Sequence, residues 1–156
     1  MVKKLPRILQ WMEVLALIVT FTGIFFKTMS WVGASDMLLI GLFSLATAYF
    51  LSAFVMVPIE DDGQTKDFLD LLPTILRKVI FIALAVYCIG FLFSLLRLEG
   101  AAQQTLVGVL TLAIGVVISM ALIVAKRERM TLLKAPLIRG IIALVFQLIW
   151  PLLGIA

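Results

Sequence analysis

The chain has 156 residues and a net charge of +4; 63% of the residues are hydrophobic and only 14% are charged, which gives a mean hydropathy of +1.20. This balance excludes a water-soluble domain and indicates a membrane protein. The sequence contains no histidine and a single cysteine, Cys88, so it lacks the commonest general base, a cysteine pair and a cluster of metal ligands. We therefore expect no enzymatic activity, no cofactor and no bound metal.

Five apolar runs follow one another along the chain. Each has about the 20 residues that a helix needs to cross roughly 30 Å of hydrocarbon. They cover residues 8–29, 37–57, 74–96, 105–125 and 137–155. The segments between them are too short for a soluble domain. The sequence thus predicts an all-α integral membrane protein, in which residues 1–156 form one transmembrane domain of five helices.

The basic residues lie almost entirely on one side of these five runs. Only Lys27 and Arg97 fall on the opposite side, whereas the others precede the first run or lie around the second and fourth connections. By the positive-inside rule, the side that carries most of the lysine and arginine is cytoplasmic. The N-terminus is therefore predicted inside and the C-terminus outside, and we expect no nucleic-acid partner.

A shift of 67 residues aligns the first half of the chain with the second. The match includes scarce residues: Pro6 meets Pro73, and Gly23, Gly33 and Gly41 meet Gly90, Gly100 and Gly108. This pattern predicts a tandem repeat of a two-helix hairpin. The repeat units are expected at about 5–57 and 72–125, separated by an acidic linker at 58–71; a basic linker at 126–135 then leads to a fifth helix at 136–155.

Three prolines and two rows of small residues add detail to this hairpin repeat. Pro6, Pro73 and Pro136 are expected near the first turn of their helices, where the missing N–H costs little. Small residues recur every four positions in the second helix of each unit, and such rows let membrane helices approach closely. They are Ser44, Ala48 and Ser52 in the first unit, and Thr111, Gly115 and Ser119 in the second. The rows predict either contacts within the bundle or a docking face for a partner subunit.

Few polar groups lie in or beside the apolar runs, and those few are the candidate functional residues. Glu13 lies about one and a half turns into the first run, where it could pair with Arg77 or Lys78. Lys27 lies near the outer end of the same run and could reach outward to Asp36 across the turn. The tryptophans fit interfacial anchors: Trp11, Trp31 and Trp150.

One stretch of the first unit resembles a known family. The segment "GIFFKTMSWVGASDMLLIGLFSLATAYFLSAF", Gly23–Phe54, is similar to the transmembrane hairpin of the GldL-type gliding-motility and type 9 secretion motor proteins of Bacteroidota. The family pattern is close to F-K-x-M-H-x-P-G-A-x-x-M-L-x-I-G-L-x-T-E-A. The resemblance covers about a fifth of the chain and is repeated weakly at 90–121. It implies a helical hairpin in the bacterial inner membrane, and a proton-driven motor built with a partner subunit.

The chain departs from that family where proton coupling is concerned. Leu45 stands at the position of the family's glutamate, Ser30 at that of its histidine and Val32 at that of its proline. We therefore expect a non-catalytic inner-membrane protein that is a structural or accessory subunit of a larger complex. Its partners would be the lipid bilayer and other membrane subunits or a second copy of the chain. The alternative is a small transporter or ion-conducting module.

Overall fold

The computed structural model of the chain describes residues 5–55, 68–124 and 131–150. These residues form five α-helices with no strand among them, which confirms the predicted all-α class. The helices are α1 (Leu5–Thr28), α2 (Ala34–Phe54), α3 (Phe68–Leu95), α4 (Ala101–Val124) and α5 (Thr131–Ile149). Residues 58–67 of the predicted acidic linker and 126–130 of the predicted basic linker lie outside the described residues.

Four helices are long and apolar enough to cross a membrane. Their candidate spans are Arg7–Thr28, Ala34–Phe54, Leu71–Leu95 and Ala101–Val124. The described part of α5 is shorter, at 19 residues, and carries Lys134 and Arg139 in its first half. The fifth predicted span continues beyond the described residues, so that span stays a prediction.

All five helices begin three to six residues before the apolar runs from which they were predicted. The first turns of α2 and α4 contain polar residues such as Asp36 and Gln103. Hydrogen bonding of the backbone, rather than hydrophobicity, determines where a helix begins, because the first turn can be polar without loss. The early starts also place Pro73 and Pro136 inside α3 and α5. Each is the sixth residue of its helix, just beyond the first turn, so each removes a helical hydrogen bond that a first-turn proline would leave intact.

The turn between α1 and α2 and the turn between α3 and α4 have the same backbone geometry. In the first turn, Trp31 N–H donates to the Phe26 carbonyl and Ser30 N–H donates to the Lys27 carbonyl. These two bonds form a Schellman motif, in which Ser30 has a positive φ of 55°. The equivalent bonds in the second turn, each 67 residues further on, join Leu98 to Phe93 and Arg97 to Ser94, and Arg97 has a φ of 54°.

Glycines bring the two helices of each hairpin into close contact. A Cβ on Gly41 would lie 2.8 Å from the backbone nitrogen of Thr20 in α1. A Cβ on Gly108 would likewise lie 2.8 Å from the backbone nitrogen of Tyr87 in α3. Both glycines therefore allow an approach that no other residue permits, which is the usual reason for small residues between membrane helices.

Helix α3 is the centre of the bundle: it packs against α2, α4 and α5, whereas α1 packs closely only against α2 among the described helices. Much of the α3 span is buried, whereas most residues of the α1 span are partly or fully exposed. At the end where the two turns lie, Trp150, the residue after α5, is buried against Phe91, with their ring centroids 4.9 Å apart. Trp150 is therefore a core residue, not the predicted interfacial anchor. Trp11 and Trp31 are exposed.

Candidate functional site

The strongest polar contact of the bundle joins α1 to α5. Arg139 donates from Nε to Glu13 Oε1 at 2.6 Å and from Nη2 to Glu13 Oε2 at 2.7 Å. This is the bidentate arrangement in which arginine binds a carboxylate most strongly. The Tyr49 hydroxyl of α2 donates to Glu13 Oε1 at 3.2 Å. Three helices thus meet at one carboxylate.

The ion pair lies inside the bundle rather than at its end. Glu13 follows the first residue of its candidate span by six positions, a depth of about 9 Å at 1.5 Å per residue. Its side chain is 15% exposed and that of Arg139 is 26% exposed. An ionised pair this far into an apolar helix is costly unless both partners are satisfied, and such residues mark functional sites by default.

The second arginine near this pair is Arg77 of α3. It donates from Nη1 to the Val55 carbonyl at 3.1 Å and from Nη2 to the Ser52 carbonyl at 3.3 Å. A cation is favourable there because the last carbonyls of α2 are unpaired and carry the negative end of the helix dipole. Sequence reasoning paired Glu13 with Arg77 or Lys78. The structure corrects this: Arg77 caps α2, and Arg139 forms the ion pair with the Glu13 carboxylate.

Two cavities adjoin the Glu13–Arg139 pair, and both residues line both cavities. The apolar cavity, of about 200 Å³, extends from the pair toward the end with the turns. Its walls include Leu17, Leu45 and Phe146. The second cavity, here called the basic cavity, measures about 140 Å³, lies toward the opposite end and is lined in addition by Arg77. The ion pair therefore separates a space with a polar wall from one that is almost wholly apolar.

Lys27, a candidate from the sequence, connects the two hairpins. Its Nζ donates to the carbonyl of Leu95, the last residue of α3. Asp36 is exposed in the first turn of α2. The predicted Lys27–Asp36 contact is therefore replaced, within the described residues, by a cation at the C-terminus of α3. This is the same role that Arg77 has at the C-terminus of α2.

The small-residue rows lie largely inside the bundle. Ala48, Gly115 and Ser119 are buried, and Gly115 faces Ile80 of α3. The remaining members are partly buried: Ser44, Ser52 and Thr111. Ser52 and Ser119 each donate to the carbonyl four residues earlier at 2.7 Å. Of the two interpretations that the sequence left open, these positions favour contacts within the bundle.

Sequence reasoning missed Arg139 and Tyr49. Arg139 was counted with the basic residues of the fourth connection, yet it lies eight positions after the first residue of α5. One signal was available: Arg139 falls within the fifth apolar run as predicted, so its cost in a membrane required a partner. Tyr49 carried no such signal, because a tyrosine in an apolar helix is also common as a packing residue.

A third cavity, of about 500 Å³, lies near the second turn and is lined by Arg97, Thr105 and Gln147. The Tyr87 hydroxyl donates to Gln147 Oε1 at 3.2 Å, and the Thr105 hydroxyl has no protein partner among the described residues.

The described part of the chain contains no group of three or more His, Cys, Asp or Glu placed to hold a metal ion. No protein-family model, curated protein or solved structure matches this chain.

Proposed function

We propose that the chain is a small, non-catalytic transport module of the bacterial inner membrane and that it works at the Glu13–Arg139 pair. The observation that carries this proposal is the position of the pair, which lines two cavities on opposite sides of it. A contact that only stabilised the bundle would have no reason to border two open spaces, whereas a contact that controls passage between two spaces has to border both.

The surroundings of the pair are consistent with a contact that opens. Helix α1 packs closely against α2 alone among the described helices, and it meets α5 through the side chains of Glu13 and Arg139. Moving α1 away from α5 would therefore break few contacts besides the ion pair. Both cavities would then join, and a bound molecule could pass from one to the other.

The proposed arrangement is a tandem repeat of two hairpins with the N-terminus in the cytoplasm. The equal φ values of Ser30 and Arg97 and the matching glycine contacts support the repeat. The charge distribution supports the orientation. With this topology the basic cavity faces the cytoplasm. The resemblance to GldL-type hairpins remains a proposal of lineage, and Leu45, at the position of the family's glutamate, lies in the wall of the apolar cavity.

The test is transport by the purified protein in liposomes. Proton entry is followed with an enclosed pH-sensitive dye, and lipid movement between leaflets with a fluorescent lipid that an external reductant bleaches. We expect at least one of the two rates to exceed that of protein-free liposomes. Glu13→Gln should then change that rate about tenfold, which corresponds to about 1.4 kcal/mol in barrier height.

The matched control is Glu99→Gln, which removes the same charge from an exposed position in the second turn. This variant should transport as the unaltered protein does. Rates equal to those of empty liposomes in both assays would contradict the proposal, as would equal effects of the two substitutions.

The second candidate function is the accessory subunit that the sequence suggested. The specific observation in its favour is that only a small part of the α1 span is buried within the bundle. A partner subunit could cover this helix as well as lipid does. Gentle purification from native membranes followed by mass spectrometry tests this candidate, and recovery of the chain without a stoichiometric partner would contradict it.

A further inference from the structure

We propose that the two cavities beside the Glu13–Arg139 pair bind one anionic amphiphile from the membrane. The phosphate or carboxylate of its head group would lie in the basic cavity between Arg77 and Arg139, and a segment of one apolar chain would occupy the apolar cavity while the rest stays in the bilayer. This inference rests on the proposed function in that it names the ligand class of the same site. The binding that it predicts can nevertheless be measured without any transport.

The first argument is the charge of the basic cavity. Its described walls carry two guanidinium groups, those of Arg77 and Arg139, against the one carboxylate of Glu13. The carbonyls capped by Arg77 contribute only the partial charge of a helix C-terminus, about half an elementary charge. The cavity is therefore positive on balance. Because an uncompensated charge away from water is costly, an anion is the favoured occupant.

The second argument is the number of N–H groups still available. Two guanidinium groups carry ten N–H donors between them. Four hydrogen bonds use them: two from Arg77 to the end of α2 and two from Arg139 to Glu13. The ring of Phe81 lies beneath both cations, with centroid distances of 5.5 Å and 5.9 Å. Phe81 thus holds both groups at one cavity, where a phosphate or carboxylate could accept from each.

The third argument is the apolar cavity, which continues from the same ion pair. An apolar cavity of about 150 Å³ is known to be large enough for benzene, and this one has about 200 Å³. Its described walls contain leucine, isoleucine and phenylalanine side chains from four helices. A free inorganic anion would leave this space empty, and a neutral hydrocarbon would leave the excess positive charge of the basic cavity uncompensated. An amphiphile with an acidic head satisfies both cavities at once.

The experiment offers the full-length protein an equimolar mixture of phosphatidylglycerol and phosphatidylcholine with identical chains. Native mass spectrometry then counts the lipid retained after release from detergent. We expect one phosphatidylglycerol per chain, preferred about tenfold or more over the zwitterionic lipid, since a tenfold preference needs only about 1.4 kcal/mol. Arg77→Gln should abolish this preference. Arg77→Lys, which keeps the charge, should retain a large part of it.

Two further variants distinguish binding of the lipid head group from binding of the lipid chain. Ala143→Phe fills the apolar cavity and should reduce retention of both lipids, whereas Arg97→Gln, at the exposed second turn, should leave the preference unchanged. Each variant is compared with the unaltered protein by circular dichroism and gel filtration, so that unfolded samples are discarded. Equal retention of the two lipids would overturn the proposal. So would a loss in Arg97→Gln as large as that in Arg77→Gln.

The outcome also separates this inference from the proposed function. Glu13-dependent transport without selective retention would overturn the ligand class and leave the transport module standing. Selective retention without transport in either liposome assay would support the amphiphile site and contradict the transport function.

Discussion

The turns of the two hairpins have the same backbone geometry, but the hairpins differ in the side chains that they carry. Their turns have the same hydrogen bonds, and Gly41 and Gly108 make equivalent contacts 67 residues apart. Yet Glu13 of the first hairpin corresponds to Ile80 of the second, which is fully buried in the centre of the bundle. The backbone geometry therefore serves packing in both hairpins. At this position the charge occurs only in the hairpin whose first helix is peripheral.

The largest effect is expected for Glu13→Ile, which gives the first hairpin the residue that the second hairpin has at the equivalent position. Glu13→Ile leaves Arg139 without its carboxylate in a largely buried position. We expect a loss of about 3 kcal/mol in the free energy of unfolding, because an unpaired buried charge costs more than the pair contributes. Unfolding by sodium dodecyl sulfate in mixed micelles measures this loss.

The double variant Glu13→Ile/Arg139→Leu completes the comparison. It removes both charges, so the greater part of the lost stability should return. If the double variant lost as much stability as Glu13→Ile and Arg139→Leu lose together, the two residues would not be coupled. The ion pair would then not explain the difference between the hairpins.

A second, smaller effect tests whether the two hairpins are equivalent in packing. Gly41→Ala and Gly108→Ala each place a methyl group against the backbone of the neighbouring helix. We expect each to lower the free energy of unfolding by about 2 kcal/mol, the usual range for overpacking. Gly115→Ala is the control, because its methyl group would meet a side chain, that of Ile80, and not the backbone of the neighbouring helix. Losses that differed widely between Gly41→Ala and Gly108→Ala would show that the hairpins are not equivalent.

The sequence predicted the class of the fold better than the contacts of its polar residues. Hydrophobic length alone gave the five helices, and the 67-residue shift identified the glycines that now prove to be close contacts. Helix starts were missed because hydrophobicity does not report the polar first turn. The ion pair of Glu13 with Arg139 was missed because it depends on which helices are neighbours in space, and the two residues are 126 positions apart in the sequence. Nothing local in the sequence identifies such a partner.

The smallest effect concerns Lys27, which makes a polar contact between the two hairpins at the end where the turns lie. Lys27→Met removes the donor to the Leu95 carbonyl, so the last turn of α3 should open more readily. We expect a loss of about 1 kcal/mol, the usual contribution of a cation at the C-terminus of a helix. Hydrogen exchange of the Leu96–Leu98 amides, measured by mass spectrometry, resolves so local a change.

The position of the faster exchange separates two roles for Lys27. If Lys27 acts across the hairpins, its loss should affect Leu96–Leu98 in the second turn and leave the equivalent Met29–Trp31 amides of its own turn unchanged. Lys134→Met, an exposed lysine of α5 at the opposite end, should change neither turn. Faster exchange confined to Met29–Trp31 would show that Lys27 stabilises only the hairpin to which it belongs. The two hairpins would then be held together at this end by apolar packing alone.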